Sequence, residues 1–190
     1  MTLERELEAI LRRSSPMMRV LQTARTQALP DWLLFSGAVY QRVLNHRTGR
    51  PLDYGIKDYD LGYFEASDIS YDAEDAVIRR VAAAFQPPLR QMVEVRNQAR
   101  VHLWFEAKFC EAYAPLTGSA EALTRFVSPL FAVGVRLEPD DNLTIVAPFG
   151  LQDLFDLKLR PNPHRVTAGF ARTAASALAR WPEIQVIAPG

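Results

Sequence analysis

The chain has 190 residues, 48% of them hydrophobic, with 22 Lys+Arg against 22 Asp+Glu and a formal net charge of +0. That length and apolar content suit one domain with a sizeable core, and the charge balance excludes a global basic field of the kind that attracts nucleic acid, though not a local patch. The one cysteine, Cys110, has no internal disulfide partner, and no apolar run approaches the ~20 residues of a membrane-spanning helix.

The N-terminus carries Glu4 and Glu6 and no apolar segment of the kind a signal peptide requires, which points to a cytoplasmic protein. Residues 3–12 place Leu3, Leu7, Ile10 and Leu11 on one stripe and predict an amphipathic cover helix. Ser14-Ser15-Pro16 then supplies a cap and a first-turn proline for a second helix, with Met17, Val20, Leu21 and Ala24 facing the core. Methionines at this spacing are read as packing rather than as a partner groove. Leu29-Pro30-Asp31 ends the helix and leads to a strand at 32–36.

The apolar run Leu33-Leu34-Phe35 is followed by a small-residue turn, Ser36-Gly37-Ala38, and Val39 to Asn45 continues with helical spacing. A helix that starts on such a turn offers free backbone amides and the positive end of its dipole, a seat for phosphate. Lys57-Asp58-Tyr59-Asp60-Leu61 alternates acid and apolar residues and predicts a strand over 57–64, with Asp58 and Asp60 on one face. Their β-carbons are then roughly 6–7 Å apart, within reach of one divalent cation or astride two. Magnesium takes one or two protein carboxylates together with phosphate oxygens and water, so it suits the pair. Lys57 leaves the opposite face of that strand. With Arg47 and Arg50 of the preceding loop it is a candidate for meeting a triphosphate, the alternative being solvated charge.

Residues 72–85 predict a helix with Ala73, Ala76, Val77, Val81, Ala84 and Phe85 inward, and with Asp72, Glu74 and Asp75 at its N-terminus. Gln91 to Asn97 alternates as a strand that carries Glu94 between two valines; the residues alone leave Glu94 either a ligand or a solvent-facing group on an edge strand. Farther on, Arg100 is a candidate phosphate ligand, His102 a candidate base set against a hydrogen-bonded core histidine, and Trp104 or Phe105 a candidate stacking partner for a base. Ser119 opens a helix to Val127 with Glu121 as its capping acid. Strands at 131–137 and 143–147 form a hairpin whose turn residues Asp140 and Asp141 do not share a face and so are not metal ligands. Phe149-Gly150-Leu151 starts a short helix with Asp153 and Asp156 on its surface, Arg160-Pro161-Asn162-Pro163 forms an exposed loop whose Arg160 and Asn162 contact substrate if it returns to the cleft, and an alanine-rich helix covers 165–180. The fold class is α+β: a short mixed β-sheet covered by helices, with residues 1–28 a helical extension and 164–190 a C-terminal helix of one domain.

Phe35-Ser36-Gly37-Ala38, Lys57 through Phe64, Asn97 through Trp104, Ala147 through Leu151 and Arg160 through Pro163 together resemble a bacterial family of small nucleotidyltransferase proteins within the polymerase-β-like nucleotidyltransferase superfamily, over roughly residues 30–165. The resemblance implies a metal site of Asp58, Asp60 and Glu94, the last as the third acid on a later strand, and a cofactor of Mg²⁺ or Mn²⁺. It also implies a nucleotide seat at Ser36, Gly37 and Ala38, to which Lys57 and Arg100 are added. Ala38 departs from the superfamily, which has a second glycine or a serine there, so this position offers no hydroxyl.

The reaction so implied moves a nucleoside monophosphate from an NTP donor to an acceptor hydroxyl. Asp58 and Asp60 hold two metal ions, Glu94 completes the activating site, and pyrophosphate leaves in line. Positioning and charge neutralisation dominate this chemistry, so no dedicated general base is required. Two other expectations compete. One is a nucleotide-binding module without catalysis, motivated by Ala38; the other is a partner-binding protein, such as one half of a toxin–antitoxin pair, that uses its N-terminal helices. Neutral net charge lowers the expectation of a nucleic-acid acceptor without removing it, and no membrane partner is expected.

Overall fold

The computed structural model describes residues 2–165 and 169–187. Helices α1 (Leu3–Arg12) and α2 (Ser15–Thr26) form where the apolar stripes require them. Thr2 and Ser14 cap their first turns through side-chain oxygens, and Leu7, Ile10, Leu11, Met17, Val20, Leu21 and Ala24 are buried. The chain then enters β1 (Leu33–Phe35), turns at Ser36 into α3 (Gly37–Arg47) and returns as β2 (Tyr59–Tyr63). A long crossover through α4 (Tyr71–Ala83) and the single turn α5 (Leu89–Met92) brings β3 (Val93–Asn97) alongside β2 in the same direction, the arrangement that a parallel pair needs.

After β3 come a 3₁₀ segment (Gln98–Leu103), α6 (Phe105–Phe109) and α7 (Ser119–Thr124). The hairpin β4 (Gly134–Leu137) and β5 (Leu143–Val146) follows, and β4 joins the free edge of β1. The resulting five-stranded sheet has the order β3-β2-β1-β4-β5 and is mixed, with β2 and β3 its parallel pair. The last segments are α8 (Gln152–Phe155), β6 (Lys158–Leu159), α9 (Phe170–Arg180) and β7 (Gln185–Val186); β6 and β7 form a separate two-stranded ladder. The main core lies between the sheet and α1, α2 and α3, and reaches through Leu154 and Phe155 to Ala174, Ala177 and Trp181. Among the described residues no helix is long and apolar enough to cross a membrane.

The expected mixed α+β sheet is thus present, with differences in detail. Residues 91–92 close a helical turn before β3 begins. On α4, Ala76 and Ala84 are exposed, while Glu74 is buried because it has a partner there. Helix α7 ends at Thr124, its N-cap is Gly118, and Ser119 donates its backbone N–H to Asp31 Oδ2 at 2.7 Å instead of capping. Of the helix expected over 165–180, residues 166–168 lie outside the described residues and the helix itself starts at Phe170.

A buried polar network ties α3 to the rest of the molecule. Arg42 is fully buried, and its Nη2 donates to Asp53 Oδ1 at 2.7 Å and to the Tyr59 hydroxyl at 2.9 Å. Asp53 in turn accepts from the Ser14 hydroxyl at 2.8 Å. One turn along, the Asn45 amide donates to the carbonyls of Leu52 and Tyr54, and its Oδ1 accepts from Trp181 Nε1 at 2.8 Å. These side chains thereby satisfy most of one another's polar atoms, Arg42 Nε being without a partner among the described residues, and the loop after α3, the α2 cap and the end of α9 are all referred to one helix.

Candidate active site

Sheet register gathers the candidate acids. Antiparallel pairing sets Phe35 opposite Asp60, so the turn after β1 lies at the end where β2 begins. Parallel pairing sets Asp60 opposite Glu94. Register partners project from the same face on strands ~4.8 Å apart. Asp58 and Asp60 line a polar cleft of about 490 Å³ together with Ser36, Gly37 and Lys57. Asp60 and Glu94 also line a second cavity of about 210 Å³ with largely aromatic walls. Asp60 is common to both.

The turn between β1 and α3 is shaped for close approach. Ser36 has φ 63° and ψ −145°, a region that residues with side chains rarely occupy and that costs on the order of 1–3 kcal/mol. Its hydroxyl makes no bond to the first turn of α3 and acts on Asp60. At Gly37 a β-carbon would lie 2.5 Å from Gln41 Nε2 and 3.9 Å from Asp58 Oδ1, so bare backbone faces the acids. Burial pushes the Asp60 carboxyl up to about 6. The Ser36 hydrogen bond opposes that shift, and the charges of Asp58 and Glu94 add to it.

The structure moves several expected site residues. Lys57 lines the cleft with the aspartates rather than leaving the opposite face, because β2 starts only at Tyr59 and its alternation does not reach residue 57. Ala38 is fully buried and belongs to the core cluster; Tyr40 and Gln41 share the cleft with Gly37 instead, as helical spacing from residue 37 would place them. Arg100 does not reach either cavity. Its guanidinium pairs with buried Glu74, and its Nε donates to the Ile69 carbonyl at 2.7 Å. Asn162 is likewise buried, and its amide donates to the carbonyls of Thr124 and Phe126, pinning its loop to α7.

Arg160 pairs with Asp153 at 2.8 Å and Arg50 with Glu183 at 2.8 Å, while Arg47 acts on Asp156. His102 lines neither cavity, whereas Trp104 and Phe105 do line the aromatic one.

The cleft also holds groups that motif reading did not reach. Arg180, the last residue of α9, faces the aspartates across it. The guanidinium lies 4.4 Å from the ring of Trp181, which is fully buried and bonded to Asn45 of α3, so one helix sets both the Gly37 turn and the arginine opposite. Burial raises the Tyr40 phenol, with hydrogen bonds from Gln41 and Arg180 acting the other way. Gln41 is 7% exposed, and its Oε1 has no partner among the described residues.

Among the described residues no group of three or more Asp, Glu, His or Cys is arranged to hold a metal ion; Glu94 leans toward Arg96 at 3.9 Å. The donor chemistry nevertheless fits a hard divalent cation. Asp58 and Asp60 offer carboxylate oxygens in one polar cleft, burial and then the Asp58 charge raise Asp60, and magnesium needs only one or two protein carboxylates when phosphate and water supply the rest.

In overall structure the chain is similar to a protein whose NMR structure reveals a CCA-adding enzyme head domain, with a TM-score of 0.78 at 22% identity over 97% of this chain and 96% of that one. It is also similar to a CCA-adding enzyme in complex with CTP, with a TM-score of 0.56 at 14% identity over 95% of this chain and 42% of that one. At these identities the likeness speaks for the fold. No curated protein matches the chain in sequence. A family model described as nucleotidyltransferase matches residues 22–186, a span that takes in β1, the Gly37 turn and all three acids, and the chain belongs to that nucleotidyltransferase family.

Proposed function

We propose that this protein transfers a nucleoside monophosphate from an NTP to an acceptor hydroxyl. The observation that carries this reading is the convergence of Asp58, Asp60 and the N-terminus of α3 on one polar cleft, with Glu94 in register beside Asp60. The cleft, at about 490 Å³, has the capacity of a small-ligand site. In it the backbone amides at Gly37 receive the triphosphate, and Lys57 and Arg180 offset its charge from the sides. Gln41 Oε1 is placed as an acceptor for a donor group on the nucleotide.

Asp58 and Asp60, with Glu94, are the residues that would hold Mg²⁺ or Mn²⁺, which when bound neutralises the triphosphate and acidifies the acceptor hydroxyl. The acids' own part is to fix where positive charge collects between donor and acceptor, and the Ser36 hydroxyl favours the charged form of Asp60. No side chain is asked to serve as a dedicated base, in keeping with a reaction dominated by positioning and electrostatics.

The test is a thermal-shift panel of the wild type and Asp60→Asn against ATP, GTP, CTP and UTP, each with and without Mg²⁺ or Mn²⁺, followed by pyrophosphate release with the nucleotide that binds. A ligand at about one hundred times its Kd adds roughly 2.7 kcal/mol, a readily visible rise in melting temperature. A metal-dependent shift for one nucleotide that is lost in the variant is the expected result; no shift with any nucleotide overturns the reading. A nucleotide-binding module without transfer is the second reading, favoured by the lean of Glu94 toward Arg96. It predicts the same shift with no pyrophosphate.

A further inference from the structure

We propose that the aromatic cavity beside Glu94 is the acceptor site, and that it takes a planar ring bearing an anionic group and a free hydroxyl, the chemistry of a nucleoside phosphate. The inference rests on the transfer reading above and names the acceptor class for the same site.

Trp104, Phe105, Tyr113 and Phe126 form the walls of this cavity, and Asp60 and Glu94 stand at one end. Trp104, Phe105 and Tyr113 are only half-buried, and α6, which carries Phe105, buries none of its residues, whereas Phe126 packs against the core. A cluster of incompletely buried aromatics rimmed by charged side chains is the kind of surface that marks a ligand groove. The rings brace one another. Phe105 and Tyr113 lie 4.3 Å apart, and Phe126 meets Phe35 edge-on at 5.8 Å.

The Phe35 ring, lying over Gly62, forms the floor. A β-carbon there would fall 2.6 Å from Phe35 Cε1, so the absence of a side chain lets the Phe35 ring lie across the strand. The cavity, at about 210 Å³, is below the ~300–1,000 Å³ of drug-sized sites, which restricts it to a single ring system. Stacking of a planar ring on aromatic side chains is the contact such walls provide.

Charge decides the rest of the ligand. Phe105 and Arg125 also line an adjoining hollow of about 380 Å³ that contains Arg165 and Arg172. Arg125 is held over the Tyr113 ring at 5.7 Å by its ion pair with Glu121 at 2.9 Å, and Arg165 is tied by donation to the Arg125 carbonyl. A ring seated among the aromatics therefore meets Arg125 on one side and, on the other, the carboxylates of Asp60 and Glu94, with Arg96 beside Glu94. This polarity matches an anionic substituent toward Arg125 and a hydroxyl toward Asp60. In the transfer, the hydroxyl oxygen forms a bond to the α-phosphorus, the bond from that phosphorus to the bridging oxygen of the β-phosphate breaks, and pyrophosphate leaves with the electron pair. The hydroxyl proton passes to water.

Calorimetric titration of the full chain with AMP, GMP, CMP and UMP, with ribose 5-phosphate, and with a 5-mer oligoribonucleotide reads the cavity directly, without donor nucleotide or turnover. One or more of the monophosphates is expected to bind at least 10-fold more tightly than ribose 5-phosphate. Phe105→Ala should lose that advantage and Phe105→Leu should recover little of it, with NTP binding in the polar cleft unchanged in both. Tighter, steeply salt-dependent binding of the oligomer would assign the same chemistry to the end of a polynucleotide; equal binding of oligomer and monomer would assign it to free nucleotides. Equal affinity for ribose 5-phosphate and the monophosphates overturns the proposal, as does a Phe105→Ala variant that loses NTP rather than monophosphate binding. Absence of metal-dependent NTP binding alongside intact monophosphate binding would count against the transfer reading alone.

Discussion

Asp60 and Glu94 are register partners across the parallel β2–β3 pair, and Asp60 forms the wall between a polar cleft and an aromatic cavity. In the proposed transfer, one carboxylate in that position touches both donor and acceptor sides. Replacing Asp60 by Asn is expected to lower the transfer rate by about 10²–10³-fold or more while the fold persists. Steady-state pyrophosphate release checks this, and retained activity would remove Asp60 from the site.

The same residue carries a stability signature. Burial, with Asp58 and Glu94 adding, holds the Asp60 carboxyl up at about 6 against the ordinary 3.8. A raised carboxyl favours the folded state while protonated, so stability present at low pH is lost as pH rises from about 4 through about 6. In metal-free buffer at pH 7.5, Asp60→Asn should therefore be more stable than the wild type by about 1–3 kcal/mol, and the two should converge near pH 4. Urea unfolding at the two pH values in the presence of chelator gives the comparison.

Arg100 and Glu74 make a buried pair, not a phosphate site. Glu74 also accepts the Asn97 backbone N–H at 2.8 Å, so the pair fastens α4 to the end of β3. Glu74→Ala leaves a buried guanidinium without its carboxylate and should cost about 3–5 kcal/mol. Arg100→Ala should lower the melting temperature similarly without changing nucleotide Kd under conditions where the variant is folded. A selective loss of nucleotide affinity in Arg100→Ala would return this residue to the site.

Arg180 should behave in the opposite way. It is partly exposed at the end of α9 and faces the cleft, so Arg180→Ala is expected to raise the KM for NTP about tenfold, near 1.4 kcal/mol, with little change in melting temperature. Arg180→Lys should recover part of the loss. An unchanged KM in both variants would place the charge outside the donor's reach.

Gly37→Ala separates close approach from folding. Alanine is a better helix former than glycine, but its β-carbon would meet Gln41 Nε2 at 2.5 Å and must displace that side chain at the cleft. Stability should change by less than about 1 kcal/mol, while NTP affinity falls severalfold in a binding titration. A variant that binds NTP as the wild type does would show that Gln41 can move without consequence.

Local period explains what was legible. Alternation at 58–60 and 93–95, helical stripes at 3–12 and 17–24, the cap at Ser14 and the turn at Ser36-Gly37 are properties of a few neighbouring residues, and the elements formed close to where those patterns lie. Lys57 was misread because alternation applies only within a strand, and β2 begins two residues later. Ala38 was misread because a residue one step along a helix points away from its neighbour; residues at three and four steps, Tyr40 and Gln41, share the cleft.

Short-range spacing located the acid pattern and the helix start and set the α+β class. Tertiary structure decided which charged groups are free to act. Arg100, Asn162 and Arg50 are each committed to partners that no local pattern reveals, namely Glu74, the Thr124 and Phe126 carbonyls, and Glu183. Arg180 reaches the cleft only because Trp181 is anchored on Asn45, more than a hundred residues earlier in the chain. A charge in water has no fixed role. Burial and pairing assign it one, and both are set by contacts between residues distant in sequence.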